Sequence, residues 1–317
     1  MGREILKYRN IELKYQENKM PTLNQISFSI NAGEFITILG SSGSGKTTLI
    51  KLVNRLLEPT SGEILFNGKD VREIDILELR RSIGYVIQQV GLFPHMTIED
   101  NIGIMPKIMG WDNQKRKNRI SQLLELAKLP DTEEFKKRHP WQLSGGQQQR
   151  VGLARALCSE PEVLLMDEPF GALDAITRKE LQRELLHIHK ESGKTILFVT
   201  HDLQEAISLG DRVLVLHEGE VMQFDTPKNL ILHPENDFIR ELFHAKTPTE
   251  KMMYFKVKDF EELLLKDEKP EGIEMDYEDS MEKVLNGILF GDHKIPVSRD
   301  GNYIGYFREE DLRKIGG

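Results

Sequence analysis

The stretch Phe35-Ile36-Thr37-Ile38-Leu39-Gly40-Ser41-Ser42-Gly43-Ser44-Gly45-Lys46-Thr47-Thr48 decides the fold. Phe35 to Leu39 reads as a continuous apolar run, the pattern of a strand buried on both faces. Leu49, Leu52, Val53 and Leu56 then recur at helical spacing. Between strand and helix, Gly40 to Thr47 satisfies G-x-x-x-x-G-K-[ST], and that context gives the motif its meaning. Glycines let backbone N–H groups wrap an anion, and the helix N-terminus adds its partial positive charge. The candidate nucleotide contacts are therefore Gly40, Ser41, Ser42, Gly43, Ser44, Gly45, Lys46, Thr47 and Thr48, with Lys46 aimed at the β- and γ-phosphates of ATP and the Thr47 hydroxyl at Mg2+.

A magnesium nucleotide needs a carboxylate near the metal, and hydrolysis needs a base near the γ-phosphate. Val163 to Met166 reads as a second buried strand, and Asp167-Glu168-Pro169 follows at its carboxyl end, where α/β sheets place ligands. Asp167 is the metal-side acid and Glu168 the candidate base. Leu143-Ser144-Gly145-Gly146-Gln147 opens a helix over 146–158, which makes a second anion-binding helix N-terminus in the same chain.

Outward from these motifs, alternation at Ile11, Leu13 and Tyr15 and at Ile26, Phe28 and Ile30 predicts half-buried antiparallel strands. Tyr85 to Ile87 and Ile196 to Thr200 predict further buried strands, separated by helical patterns at 114–128, 146–158 and 174–190. Strands alternating with helices give an α/β fold with a mainly parallel sheet. The length of 317 residues fits about two domains. His244 to Glu250 is polar, carries Pro248 and lacks period, so the linker is placed there. Residues 246–317 hold 12 Lys and Arg against 17 Asp and Glu, net −5 of the chain's −8, so acidity concentrates in the tail. In that tail Lys294 to Val297 and Tyr303 to Phe307 flank the turn signal Arg299-Asp300-Gly301, and Glu309 to Lys314 reads as helical.

The negative net charge argues against a nucleic-acid partner. The single Cys158 cannot form an internal disulfide, and its apolar surroundings predict a buried thiol and a cytosolic setting. No stretch approaches the apolar length that spans a bilayer, the N-terminal residues carry no secretory signal, and no fixed-period repeat or low-complexity tract is present.

The combination of phosphate loop, Leu143–Gln147 segment and paired acids resembles the ATP-binding cassette (ABC) family across about residues 3–243. The resemblance implies a P-loop nucleotide-binding domain with an antiparallel N-terminal sheet and a helical subdomain over about 90–158. Its members join two chains head to tail, each ATP lying between the phosphate loop of one and Ser144, Gly145, Gly146 and Gln147 of the other. It also implies adenine stacking on Tyr15, which by its strand pattern alone would be core, and contact of Gln88 with Mg2+ and water. Asp174 takes the place of the acid that couples the two sites, and His201 that of the switch histidine sensing the γ-phosphate, although a lone histidine after a strand is usually structural.

Val86 to Thr97, Pro106 to Trp111 and Met166 to Thr177 look like the ATPase subunits of quaternary-amine importers, which take up glycine betaine, choline or carnitine. That resemblance implies separate membrane permease subunits, an extracellular solute-binding protein and a peripheral location on the cytoplasmic face of the membrane. The segment 88–111, with Phe93, Met96 and Ile104 expected to be exposed, would receive a permease helix; its alternative is a local helical core. Asp279 to Leu312 is similar to one cystathionine-β-synthase-type (CBS) motif, with Arg308 where such motifs usually carry Thr or Ser; related importers suggest a cyclic dinucleotide as its ligand, and the alternatives are a response of its net −5 to ionic strength and a packing appendage without ligand. The expected domains are 1–243, a linker at 244–255 and a small α/β regulatory domain at 256–317. The alternatives are an importer ATPase for another small solute and a nucleotide-switched scaffold outside transport.

Overall fold

The N-terminal alternation becomes an antiparallel pair, β1 (Glu4–Leu13) and β2 (Leu23–Asn31), in which Tyr8 stands opposite Phe28 and Ile11 opposite Ile26. The two rings stack at 4.3 Å. The chain continues through β3 (Phe35–Leu39) and α1 (Lys46–Val53), then returns to the first sheet as β4 (Ser61–Phe66) and β5 (Lys69–Asp70), giving the order β2-β1-β4-β5. The remaining elements here are α2 (Ile76–Arg81), β6 (Ile83–Val86), α3 (Ile98–Ile108), α4 (Asn113–Leu126), α5 (Glu133–Lys136), α6 (Gly145–Cys158), β7 (Val163–Asp167), α7 (Ala175–Ser192), β8 (Thr195–Thr200), α8 (Leu203–Leu209), β9 (Arg212–His217) and β10 (Glu220–Asp225). The computed structural model describes residues 2–15, 20–87, 91–171, 173–243 and 255–312, and it divides into two compact units, 1–224 and 225–317.

Six strands form the second sheet in the order β10-β9-β3-β8-β7-β6. Its β6/β7, β7/β8, β8/β3 and β3/β9 pairs are all parallel. The apolar runs read from sequence have a simple cause. Ile36, Ile38, Val163, Leu165, Leu197 and Val199 enter one core, while Phe35, Leu164, Met166, Ile196 and Phe198 enter the other. Alternate side chains thus serve two cores, so every position must be apolar or nearly so.

The second core is shared with α3, α4 and α6, through Ile98, Ile102, Ile120, Leu123, Leu124 and Val151. Cys158 lies at the end of α6, buried, with desolvation pushing its thiol up to about 12, in line with the inert reading.

Several expectations are corrected. Leu56 lies beyond the end of α1 and is exposed, because that helix stops at Val53. The third buried strand runs from Ile83 to Val86 and leaves Ile87 exposed outside it. Gly84 concealed its start: a Cβ there would lie 2.6 Å from Leu164 and 2.7 Å from the Ala156 carbonyl, so this glycine permits close packing of α6 on the strand. Tyr15 falls two residues past β1 and is 42% exposed, not core. In the segment 91–111, Phe93 is exposed as expected, whereas Met96 and Ile104 are half-buried, the latter on α3.

The second unit begins with α9 (Pro227–Leu232) and α10 (Asp237–Leu242). Residues 244–254, which hold most of the expected linker, lie outside the described residues. Downstream come β11 (Met275–Asp276), α11 (Met281–Leu289), β12 (Lys294–Arg299) and β13 (Asn302–Arg308). β11 and β12 are parallel across α11, and β12 and β13 form the hairpin the turn signal predicted, with Asp300 and Gly301 at φ 51° and 77°. A helical turn at Glu309–Leu312 follows.

Phe198 is fully buried between Phe35 and Phe170, with ring centroids 6.0 and 5.4 Å away. Truncating a buried Phe costs about 3–5 kcal/mol. Phe198→Ala is therefore expected to lower the unfolding free energy of the first unit by that amount, read by circular dichroism as a lower urea midpoint with little change in m.

Candidate functional site

The parallel register fixes where the motif residues emerge. Leu39 pairs with Thr200 and with Val215, and Asp167 pairs with Val199, so β3, β7 and β8 end together. The loops at 40–45, 168 and 201 leave one edge of the sheet.

The loop has little room for side chains. A Cβ on Gly40 would lie 2.3 Å from the Leu216 carbonyl, and Gly43 and Gly45 have φ of 81° and 102°, the left-handed region that glycine occupies freely. Lys46 is buried at the start of α1, and its Nζ donates to the carbonyls of Gly40 and Ser41 at 2.8 Å each. Burial pulls its pKa down, opposed by the charges of Glu168 and Asp167. The Ser44 hydroxyl is buried without a hydrogen-bond partner. An orphaned donor, a buried ammonium and a helix N-terminus around one loop fit a phosphate.

Thr47 Oγ1 donates to Asp167 Oδ1 at 2.7 Å. Hydroxyl and carboxylate are the hard oxygen donors that Mg2+ prefers. Among the described residues no group of three or more His, Cys, Asp or Glu could hold a metal, so Asp167 is the one residue of those types beside the Thr47 hydroxyl. Desolvation raises the Asp167 carboxyl pKa, and Thr47 and Lys51 oppose the rise. Tyr85, which sequence reading assigned only to a strand, brings its buried hydroxyl up to Asp167 without a hydrogen bond of normal geometry, and burial pushes its phenol up. Nothing in its pattern distinguishes it from an ordinary strand aromatic.

Glu168 has φ 43°, strained for a non-glycine residue, and its N–H donates to the Val199 carbonyl at 3.1 Å. The turn points its carboxylate toward Lys46 Nζ at 4.0 Å and His201 Nδ1 at 3.1 Å. His201 follows β8 directly, and its side chain is 62% exposed. Lys46, Thr47, Asp167, Glu168 and His201 therefore meet.

Among the described residues, Ser144, Gln147 and Asp174 make their hydrogen bonds outside that cluster. The start of β2 borders the loop, since a Cβ on Gly45 would touch Leu23 at 2.7 Å; Leu23 pairs with Leu13 at the end of β1, and Tyr15 lies exposed two residues beyond Leu13. Ser144 caps α6 in a capping box, its Oγ accepting from Gln147 N while Gln147 Oε1 accepts from Ser144 N. That helix starts at Gly145, one residue before the expected start. Asp174 is the exposed N-cap of α7, accepting from the N–H groups of Ile176 and Thr177 at 3.1 Å each. Gln88 lies outside the described residues.

The chain is similar to several known proteins. The ABC transporter family model matches residues 23–171. The carnitine transport ATP-binding protein OpuCA of Listeria monocytogenes is 50% identical over 237 residues, 75% of this chain and 59% of that protein, so the chain spans about three fifths of that relative's length. The glycine betaine uptake system ATP-binding protein YehX of Escherichia coli is 47% identical over 221 residues, 70% of this chain and 71% of that protein. A dimeric ATP-binding cassette in a post-hydrolysis state, bound to ADP and Pi, is 35% identical and superposes with a TM-score of 0.62 over 70% of this chain and 98% of its own.

The raised Asp167 pKa has a signed consequence. A carboxyl that titrates higher in the folded chain than in the unfolded one costs stability above its folded pKa, and that cost vanishes as pH falls below its unfolded pKa. Without divalent cation, Asp167→Asn is expected to be more resistant to urea than the unsubstituted chain at pH 8, with the difference shrinking toward pH 4. Urea titrations across that range check it.

Proposed function

Because the chain belongs to the ABC transporter family, we propose that it is the ATP-hydrolysing subunit of an importer for a quaternary amine such as glycine betaine, choline or carnitine. Two copies close head to tail, and each ATP lies between the Gly40–Thr48 loop of one and Ser144, Gly145, Gly146 and Gln147 of the other. The observation that carries the activity is the convergence of Lys46, Thr47, Asp167, Glu168 and His201 at one sheet edge. The solute class rests on the relatives, whose names cite carnitine and glycine betaine.

Lys46 exchanges its carbonyl partners for the β- and γ-phosphates. Thr47 and Asp167, joined by Gln88, would hold Mg2+, which would supply positive charge against the phosphates. Glu168 accepts the hydrogen bond of the attacking water and draws off its proton. His201 holds the Glu168 carboxylate in place and senses the γ-phosphate. Tyr15 offers a face to adenine, and Asp174 couples the two sites across the dimer.

Among the described residues no helix is long and apolar enough to cross a membrane. The chain works from the cytoplasmic face, docked on separate permease subunits through the segment 88–111, where Phe93 offers an exposed ring. An extracellular solute-binding protein delivers the solute to that permease. Domain bounds of 1–243 and 256–317, with a linker at 244–255, assign the tail to regulation. The βαβ turn of β11, α11 and β12 followed by the β13 hairpin is consistent with a single CBS-like motif. A cyclic dinucleotide is its proposed ligand.

Glu168→Gln is expected to slow hydrolysis by about 10² or more, the usual scale for a lost positioned base, while ATP binding survives. The ATP-bound dimer should then accumulate on sizing chromatography with Mg-ATP. A monomeric, fully active variant would refute the assignment.

A further inference from the structure

A carboxylate outside every motif lies behind His201. Glu205, in the first turn of α8, is buried at 7% exposure. Its Oε2 accepts the Thr200 hydroxyl at 2.6 Å, and its Oε1 accepts the Gln182 amide at 3.1 Å. Thr200 Oγ1 also accepts the N–H of Asp202 at 3.0 Å, so the turn carrying His201 is pinned on both sides. Gln182 belongs to α7, the helix that Asp174 caps. One turn earlier on α7, Arg178 Nη2 donates to the Leu173 carbonyl at 3.1 Å. Its Nε is buried without a hydrogen bond and stands 3.9 Å from Glu205 Oε1, and its Nη1 stands 3.9 Å from Asp202 Oδ2.

We propose that Glu205 is a positioning residue that links the Leu173–Asp174 segment to the His201–Glu168 pair through Arg178 and Thr200. The chain of contacts is bonded throughout but for one 3.9 Å approach. It runs from the Leu173 carbonyl to Arg178, across to Glu205, through the Thr200 hydroxyl to the adjoining His201, and from His201 Nδ1 to Glu168 Oε2 at 3.1 Å.

One contact in it is open. Charged N–H···O bonds sit near 2.7–2.9 Å, so a movement of about 1 Å by Arg178 converts the 3.9 Å approach into a bond. Opening and closing of that contact would give the element two discrete arrangements, of the kind coupling between sites requires. A second copy pressing on Asp174 shifts the Leu173 carbonyl, Arg178 follows its acceptor, and Glu205 passes the change to the His201 turn. Each site is thereby told whether its partner has closed. This inference rests on the two-chain reading above, since only there does a second copy meet Asp174.

The test uses the full chain with Mg-ATP and two variants. Glu205→Gln keeps an acceptor for Thr200 and loses the charge that faces Arg178. Arg178→Ala removes a partly exposed side chain and leaves both Glu205 hydrogen bonds intact. Each is expected to lower kcat by about tenfold. KM for ATP should stay within about twofold, and ATP-driven dimerisation in the Glu168→Gln background should be retained. The Hill coefficient for ATP should fall toward one, a readout that a purely structural role would leave alone. The double variant should lose no more than either single one, as for residues acting as a unit.

Unchanged kcat and Hill coefficient in both variants would overturn the proposal, and so would losses that multiply in the double variant. If Glu205→Gln does not fold, Arg178→Ala decides alone by the same two measures. Failure of the unsubstituted chain to hydrolyse ATP or to dimerise would instead refute the reading on which the inference depends.

Discussion

The parallel registration of β3, β7 and β8 is the constraint on which the rest depends. Pairing Leu39 with Thr200 and Asp167 with Val199 makes three strands end within a residue of one another. The phosphate loop, the two acids and the histidine are thereby delivered to one place although Thr47 and Asp167 are 120 residues apart. The register is itself held by burial on both faces. A one-residue slip would exchange the side chains of the two cores, each close-packed and differently shaped. Site geometry and core packing are therefore one requirement.

Electrostatics then sharpens what topology places. A buried ammonium and a buried carboxyl, Lys46 and Asp167, are each pushed toward neutrality by desolvation, and each is partly compensated by neighbours. Carbonyls of Gly40 and Ser41 hold the lysine where phosphate oxygens would take it over. The turn at Glu168 sits in a strained conformation that the fold must maintain, and such strain is concentrated at functional positions.

The sequence made the centre legible because these residues are under one dominant rule each. Strands buried on both faces must be apolar throughout, and a loop that wraps an anion must be rich in glycine. Hence β3, β7, β8 and the Lys46 and Thr47 positions were readable. The hairpin at Asp300-Gly301 was readable for a similar reason, since its turn requires positive φ. What escaped had competing causes. Gly84 looked like a break because close packing against α6 excludes a side chain there. Tyr15 fitted the strand alternation but lies past the last paired residue, Leu13. Met96 and Ile104 are half-buried, although the core that α3 shares with α4 and α6 takes Ile98 and Ile102 from that helix. Glu205 was invisible because an acid near a helix N-terminus usually signals only a capped first turn, whereas here tertiary packing buries it against Thr200 and α7.

The central claim is that every ATP site is built from two chains, one giving the phosphate loop and the other Leu143–Gln147. Mixing Lys46→Ala chains with Ser144→Arg chains and measuring ATP hydrolysis tests it most directly. Each variant alone should be inactive, because every site carries a damaged half. The mixture should regain activity, because a mixed dimer unites the intact loop of one chain with the intact Ser144 of the other. A mixture as inactive as its components, or a Ser144→Arg chain that hydrolyses ATP normally by itself, would contradict the account.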